Sequence, residues 1–181
     1  MKRAVFLDRD GTIIQEKSFL HRPDDVTFIA GAVLALKRLQ TAGFLLFIVS
    51  NQSGVGRGYF TLSDVDAVNQ RVKEEAGKLG VHFQKIYVAP ELPGAPSHGR
   101  KPSPQFLFDA RDEFSLNLAE CYMLGDKLSD LECGWSAGVK TSILVRTGYG
   151  SRTEQQLIGA SLRPIIVQDL PEAADWILTR D

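Results

Sequence analysis

The sequence predicts an α/β fold: a doubly wound, mostly parallel sheet with helices on both faces. Three observations predict it. Short apolar runs alternate with longer segments of helical period along the 181 residues. Three of the runs stop abruptly in clusters of Asp, Ser, Asn or Gly, and no linker, repeat or shift of composition interrupts the pattern. Regular β-α alternation implies parallel strands joined by right-handed crossovers, and such strands are buried on both faces. One domain over residues 1–181 is expected.

The first strand lies in Ala4 to Ile14, AVFLDRDGTII, where Val, Phe and Leu give way to Asp8, Asp10 and a glycine. A strand's period of two sets both carboxylates on one side as the chain leaves the sheet. Gly31 to Gly43 reads as a helix with Val33, Leu36 and Leu39 on its inner face. Asp24-Asp25 after Pro23 reads as a turn. The second strand is Phe44 to Ser50, running into Ser50-Asn51-Gln52-Ser53 and the glycine-rich tract Gly54-Val55-Gly56-Arg57-Gly58. Leu62, Val65, Val68, Val72, Ala76 and Leu79 trace an amphipathic helix ending at Gly80. The third strand is about Lys85 to Ala89. A helix follows Ser103, with Ser103 as N-cap and Pro104 at its first position. The fourth strand, Cys121 to Leu124, enters Gly125-Asp126-Lys127-Leu128-Ser129-Asp130, and a short helix runs from about Asp130 to Ala137. Thr141 to Val145 and Pro164 to Val167 complete the strands. Trp135 and Trp176 fall on helices and are assigned to the core.

At 44% hydrophobic and 24% charged residues, a chain of this size buries roughly 70% of its unfolded surface. No apolar run approaches the roughly 20 residues that span a bilayer, and the first strand begins at once, so a cytoplasmic protein without membrane contact is expected. A net charge of −1 without a basic run argues against nucleic acid as a partner. Cys121 and Cys133 are expected as buried free thiols. His21, His82 and His98 lack ligand spacing and read as surface or loop residues. A monomer is expected.

The strand ends carry the chemistry. Asp8 and Asp10 repel each other unless a cation lies between them, and oxygen ligands suit a hard divalent ion such as Mg²⁺. The hydroxyl, amide and backbone N–H groups of Ser50 to Gly54 are what phosphate oxygens require. Arg100 and Lys101 add two cations just before a helix start.

In this order, D-x-D-G-T, a strand-end Ser, a Lys and G-D-x-x-x-D, the chain resembles the haloacid dehalogenase superfamily of phosphotransferases. FLDRDGTI, SNQSGVGRG, RKPSP, MLGDKLSD and LVRTG resemble, more narrowly, the D,D-heptose 1,7-bisphosphate phosphatases and the related histidinol-phosphate phosphatases. The resemblance implies Asp8 as a nucleophile that becomes an aspartyl-phosphate and Asp10 as acid/base, its main-chain carbonyl also binding the metal. It implies Mg²⁺ held by Asp8, Asp10 and Asp126, with Asp130 in an outer role, holding a metal-bound water or orienting Lys127. Ser50, the Asn51 amide and Lys101 would hold the transferring phosphoryl group, and Arg100 the remote end of the substrate. Arg9, Gln52, Ser53, Arg57 and Lys127 are the further expected substrate contacts.

Two departures qualify the resemblance. The loops after Asp10 and after the third strand are too short for a cap domain, so an open site shaped by Glu16 to Asp25 and Ala89 to Gly99 is expected. The narrower families usually carry a Cys/His zinc loop before R-K-P, whereas 89–99 here contains no cysteine. No zinc is therefore expected. The implied reaction is Mg²⁺-dependent removal of the 7-phosphate from a small-molecule sugar phosphate, heptose 1,7-bisphosphate. Histidinol phosphate or another sugar phosphate is the alternative substrate, and a receiver-like phospho-aspartate module the non-enzymatic alternative.

Overall fold

A computed structural model describes residues 1–159 and 164–180. These form one parallel sheet of β1 (Ala4–Leu7), β2 (Leu45–Asn51), β3 (Phe83–Ala89), β4 (Tyr122–Gly125), β5 (Thr141–Val145) and β6 (Ile165–Val167). The spatial order is β3-β2-β1-β4-β5-β6. The chain winds outward from β1 in one direction and returns to β4 to wind in the other. The direction therefore switches between β1 and β4, where open α/β sheets place their sites. Leu7 pairs with both Ile48 and Leu124, so β1, β2 and β4 deliver their following loops at one level.

The helices are α1 (Ala32–Thr41), α2 (Ser53–Gly56), α3 (Leu62–Gly77), α4 (Gln105–Phe114), α5 (Leu128–Ala137), α6 (Gly150–Gln156) and α7 (Leu170–Leu178). Alternate strand residues feed opposite faces, as the pleat requires. Val5, Leu7, Leu46 and Ile48 pack with Leu36 and Leu39 of α1, Val68 and Val72 of α3 and Ile177 of α7. Phe6, Phe47, Val49 and Met123 pack on the other face with Leu107 and Ala110 of α4 and Cys133 of α5. Both cysteines are free and buried. Among the described residues no helix is long and apolar enough to cross a membrane. Between Asp10 and α1 the only helical element is a 3-10 turn at Pro23–Asp25.

The strands lie within a residue or two of their expected places, and β5 coincides. Elsewhere the structure corrects the sequence reading. Leu62 and Leu79 are about half exposed, because α3 ends at Gly77 and its inward face is Val65, Val68, Asn69, Val72 and Ala76. Pro104 takes the cap position of α4, since its carbonyl accepts the first helical bonds from Leu107 and Phe108. Ser103 Oγ accepts from the Gln105 N–H at 3.3 Å. The glycine-rich tract holds the one-turn helix α2, where Gly54 lies against the Phe60 ring and leaves no room for a side chain. Trp135 is only half-buried and outside both clusters, and Trp176 is half-buried at the margin of the first.

Candidate active site

Asp8 follows β1, its N–H donating to the Leu124 carbonyl at 2.9 Å. Lys101 arrives from the segment after β3 and is clamped by Asn51: the Lys101 N–H donates to Asn51 Oδ1 and Asn51 Nδ2 donates to the Lys101 carbonyl, each at 3.0 Å. Its Nζ lies 2.7 Å from Asp8 Oδ1 and 2.6 Å from Asp130 Oδ1. Asp130 does two things at once, because its Oδ2 accepts from the Lys127 N–H at 2.9 Å and so caps α5. It thus orients the side chain of Lys101, not that of Lys127.

Asp126 is hydrogen-bonded through one oxygen, while the other, Oδ1, lies 3.8 Å from Lys127 Nζ. Oδ2 accepts from the Tyr149 N–H at 2.8 Å, and a Cβ on Gly11 or Gly148 would overlap that oxygen. Both glycines have positive φ, +87° and +57°, which L side chains rarely adopt. Thr147 Oγ1 donates to the Gly11 carbonyl and Thr153 Oγ1 to the Asp126 carbonyl, so α6 and the turn before it tie the two aspartate loops together.

Ligand oxygens of Asp8, Asp126 and Asp130 all lie within 4.8 Å of one another, and all three residues are buried. Burial pushes the Asp8 carboxyl up, but Lys101, Lys127 and the Lys101 hydrogen bond outweigh it and hold Asp8 below its ordinary value. For Asp126 burial wins, reinforced by the Asp8 charge, and raises it to about 8. Asp130 is raised by burial, which the Lys101 charge offsets only in part. Burial works against the charge of Lys101, but Asp130 and Asp8 overcome it and keep the ammonium protonated. Asp8 Oδ2 and Asp126 Oδ1 have no hydrogen-bond partner among the described residues. Two unsatisfied carboxylate oxygens in one buried cluster are costly in isolation, and an oxygen-only donor set fits a hard cation. The cluster answers the mutual repulsion expected for Asp8 and Asp10 differently. Asp10 is ion-paired to Arg9 at 2.9 Å, and the carboxylates that gather closely enough to hold a metal are Asp8, Asp126 and Asp130.

Above the cluster opens a cavity of about 270 Å³. Asp8, Asp10, Asn51, Gln52, Ser53, Lys101 and Lys127 all line it. Ser50 is buried just below, its Oγ accepting from Gln52 Nε2 at 2.7 Å. Glu16 and Phe19, from the 16–25 segment expected to shape the site, also line it, as does Tyr149, which the sequence did not single out; the 89–99 loop contributes none of the lining residues. Glu16 pairs with Lys127 at 3.4 Å, and Lys127 Nζ stands 4.9 Å from the Tyr149 ring centre.

Three expected substrate contacts stand elsewhere. Arg9 is fully buried beneath the cavity, and its fork is spent on Asp10 and on Asn69 Oδ1, the latter at 2.8 Å. Arg57 is exposed, 5.9 Å from the Phe19 ring centre. Arg100 directs Nη1 at the Glu91 carbonyl, 2.9 Å away. That bond belongs to the internal staple of the 89–99 loop. Ser97 Oγ donates to Glu91 Oε2 at 2.7 Å and accepts from the Arg100 N–H at 3.1 Å. Gly99 lies flat on the Phe106 ring, and exposed His98 pairs with Asp109 at 2.6 Å.

A HAD hydrolase-like family model matches residues 98–173. The D-glycero-beta-D-manno-heptose-1,7-bisphosphate 7-phosphatase of Escherichia coli K12 is 35% identical over 97% of this chain and 87% of its own length. That of Photorhabdus laumondii is 37% identical over 96% of each chain. The crystal structure of the D,D-heptose 1,7-bisphosphate phosphatase from B. bronchiseptica, complexed with magnesium and phosphate, covers both chains fully with a TM-score of 0.90 and 29% identity. With near-complete coverage at such identity, the chain belongs to the haloacid dehalogenase-like phosphatases, in the family of the heptose-1,7-bisphosphate 7-phosphatases.

Proposed function

We propose that the protein hydrolyses the 7-phosphate of D-glycero-D-manno-heptose 1,7-bisphosphate through an aspartyl-phosphate on Asp8. The observation that carries the chemistry is the buried cluster of Asp8, Asp126 and Asp130, in which Asp8 Oδ2 and Asp126 Oδ1 lack a hydrogen bond and of which Asp8 and Asp130 line a cavity that also holds Lys101. Asp8, Asp126 and the Asp10 carbonyl would hold Mg²⁺, with Asp130 behind them. Bound there, the ion neutralises the charge that otherwise opposes attack of a carboxylate on a phosphate.

Lys101 fixes Asp8 through one oxygen and leaves the other free. Asp8 attacks phosphorus, the bond to the sugar oxygen breaks, and Asp10 gives that oxygen a proton as it leaves. Water then attacks the phosphorus of the aspartyl-phosphate, Asp10 takes its proton, and inorganic phosphate departs with Asp8 restored. Lys101, Ser50 and the Asn51 amide stabilise the oxygens of the transferring group. Asp10 two residues after Asp8 argues for turnover over a receiver-like signalling role.

The choice of substrate rests on relatives that bear this activity in their names across nearly the whole chain. Arg100 and Lys101 do not act as a cationic pair in the cavity. Lys127 is the second cation there and the group we assign to the remainder of the substrate. The staple of the 89–99 loop supplies what zinc would otherwise provide, and we expect metal analysis of the purified protein to find none. Direct competition between heptose 1,7-bisphosphate and histidinol phosphate tests the assignment: a higher specificity constant for histidinol phosphate would reverse it.

A further inference from the structure

We infer that Asn69, on α3, is a positioning residue for Asp10 and acts through Arg9. The three residues form one buried relay. Arg9 presents Nε to Asp10 Oδ2 at 3.0 Å and Nη2 to the same carboxylate at 2.9 Å, while Nη1 donates to Asn69 Oδ1 at 2.8 Å. The Arg9 side chain has no exposed surface.

A guanidinium is a rigid planar fork that orients a carboxylate relative to itself, and a hold on its far side refers that orientation to the rest of the protein. Asn69 is that far hold. It occupies the inward face of α3 beside Val68 and Val72, almost fully buried. An amide is costly there unless its polar atoms are used. Val68, Val72 and Ala76 pack α3 into the core, and a capping box between Thr61 and Asp64 fixes its start. Asn69 therefore refers the Arg9 fork to a rigid element. From the cavity side Gln52 Nε2 donates to Asp10 Oδ2 at 2.9 Å, so the carboxyl is set from two directions.

The inference rests on the proposed role of Asp10 as proton donor to the leaving oxygen. A donor that is present but misaimed retards departure of a poor leaving group, such as a sugar alkoxide, and spares an aryl oxide that leaves without help. Misplacement on the ångström scale from a remote change costs up to about 10²-fold.

The test is single-turnover phosphoenzyme formation with the sugar phosphate and with an activated aryl phosphate, in Asn69→Ala, Asn69→Asp and Asp10→Asn. In Asn69→Ala the sugar-phosphate rate is expected to fall about tenfold to a hundredfold with the aryl rate nearly unchanged. Asn69→Asp, which keeps an acceptor for Arg9 Nη1, is expected to recover most of that loss. If Asn69→Ala does not fold, Asn69→Ser carries the same comparison. Equal losses on the two substrates, or no loss on either, overturn the inference while leaving the phosphatase reading intact. If Asp10→Asn itself shows no preference between leaving groups, the acid role of Asp10 falls and the inference with it.

Discussion

Lys101 Nζ sits 2.7 Å from Asp8 Oδ1 in an ion pair closed to solvent at both ends, between residues 93 positions apart. The same ammonium serves Asp130 at 2.6 Å. Removing it strands two buried carboxylates, and breaking a buried pair from one side costs about 3 to 5 kcal/mol. Lys101→Met is therefore expected to lose stability on that scale in urea denaturation without added metal, and at least about 10²-fold in kcat. Unchanged stability would contradict the pairing.

The Asp126 carboxyl is expected to give the proposed metal site its pH dependence. Its value of about 8 lies above the ordinary 3.8, so the folded, metal-free protein holds this proton more tightly than the unfolded chain. Its contribution to stability therefore declines as pH rises from about 4 to 8. A metal ion must displace that proton below pH 8. Apparent Mg²⁺ affinity should climb by about tenfold per pH unit between about pH 6 and 8, then level off. Calorimetric titrations across that range, and a Mg²⁺-induced rise in Tm that is larger at pH 8 than at pH 6, check this.

The glycine cradle admits a sharper test. Gly148→Ala places a methyl group where Asp126 Oδ2 lies and forces an alanine to φ near +57°, a conformation costing about 1 to 3 kcal/mol. Mg²⁺ affinity should fall together with activity. An unaltered Kd for Mg²⁺ would show that the cradle does not position Asp126.

Neither cysteine is poised for reaction. Burial raises Cys121 to about 11 and Cys133 to about 12, and their thiols donate to the Asn117 and Ser103 carbonyls. A disulfide reagent should modify neither in the native protein at pH 8 and both after unfolding.

These features were unequally legible in the sequence. Asp8, Asn51 and Asp126 end apolar runs, so a parallel sheet brings them to its carboxyl end, and Lys101 follows from its place in the motif set. Arg9 was not legible, because a residue between two strand-end aspartates can turn its long side chain upward to a ligand or downward into the fold. Burial beneath α3 decided it. Asn69 did leave a trace: it is the one polar residue on the face otherwise formed by Val65, Val68, Val72 and Ala76. The helix α2 left none, since Ser53 to Gly56 has a loop's composition and its close packing of Gly54 on the Phe60 ring is a contact from outside the segment. Arg100 was misdirected for the opposite reason to Arg9. Its neighbour Lys101 carries the motif, and nothing local reveals that the Glu91 carbonyl would claim its guanidinium.

In the proposed mechanism Asp8 carries the phosphoryl group. Rapid acid quench of the protein with heptose 1,7-bisphosphate and Mg²⁺, followed by peptide mapping, measures this directly. Asp10→Asn should form the intermediate slowly and hydrolyse it more slowly still, which extends the window for trapping it. The label is expected on Asp8, in both wild type and Asp10→Asn, and absent from Asp8→Asn. Phosphate on another residue, or sugar-phosphate turnover by Asp8→Asn, would contradict the account.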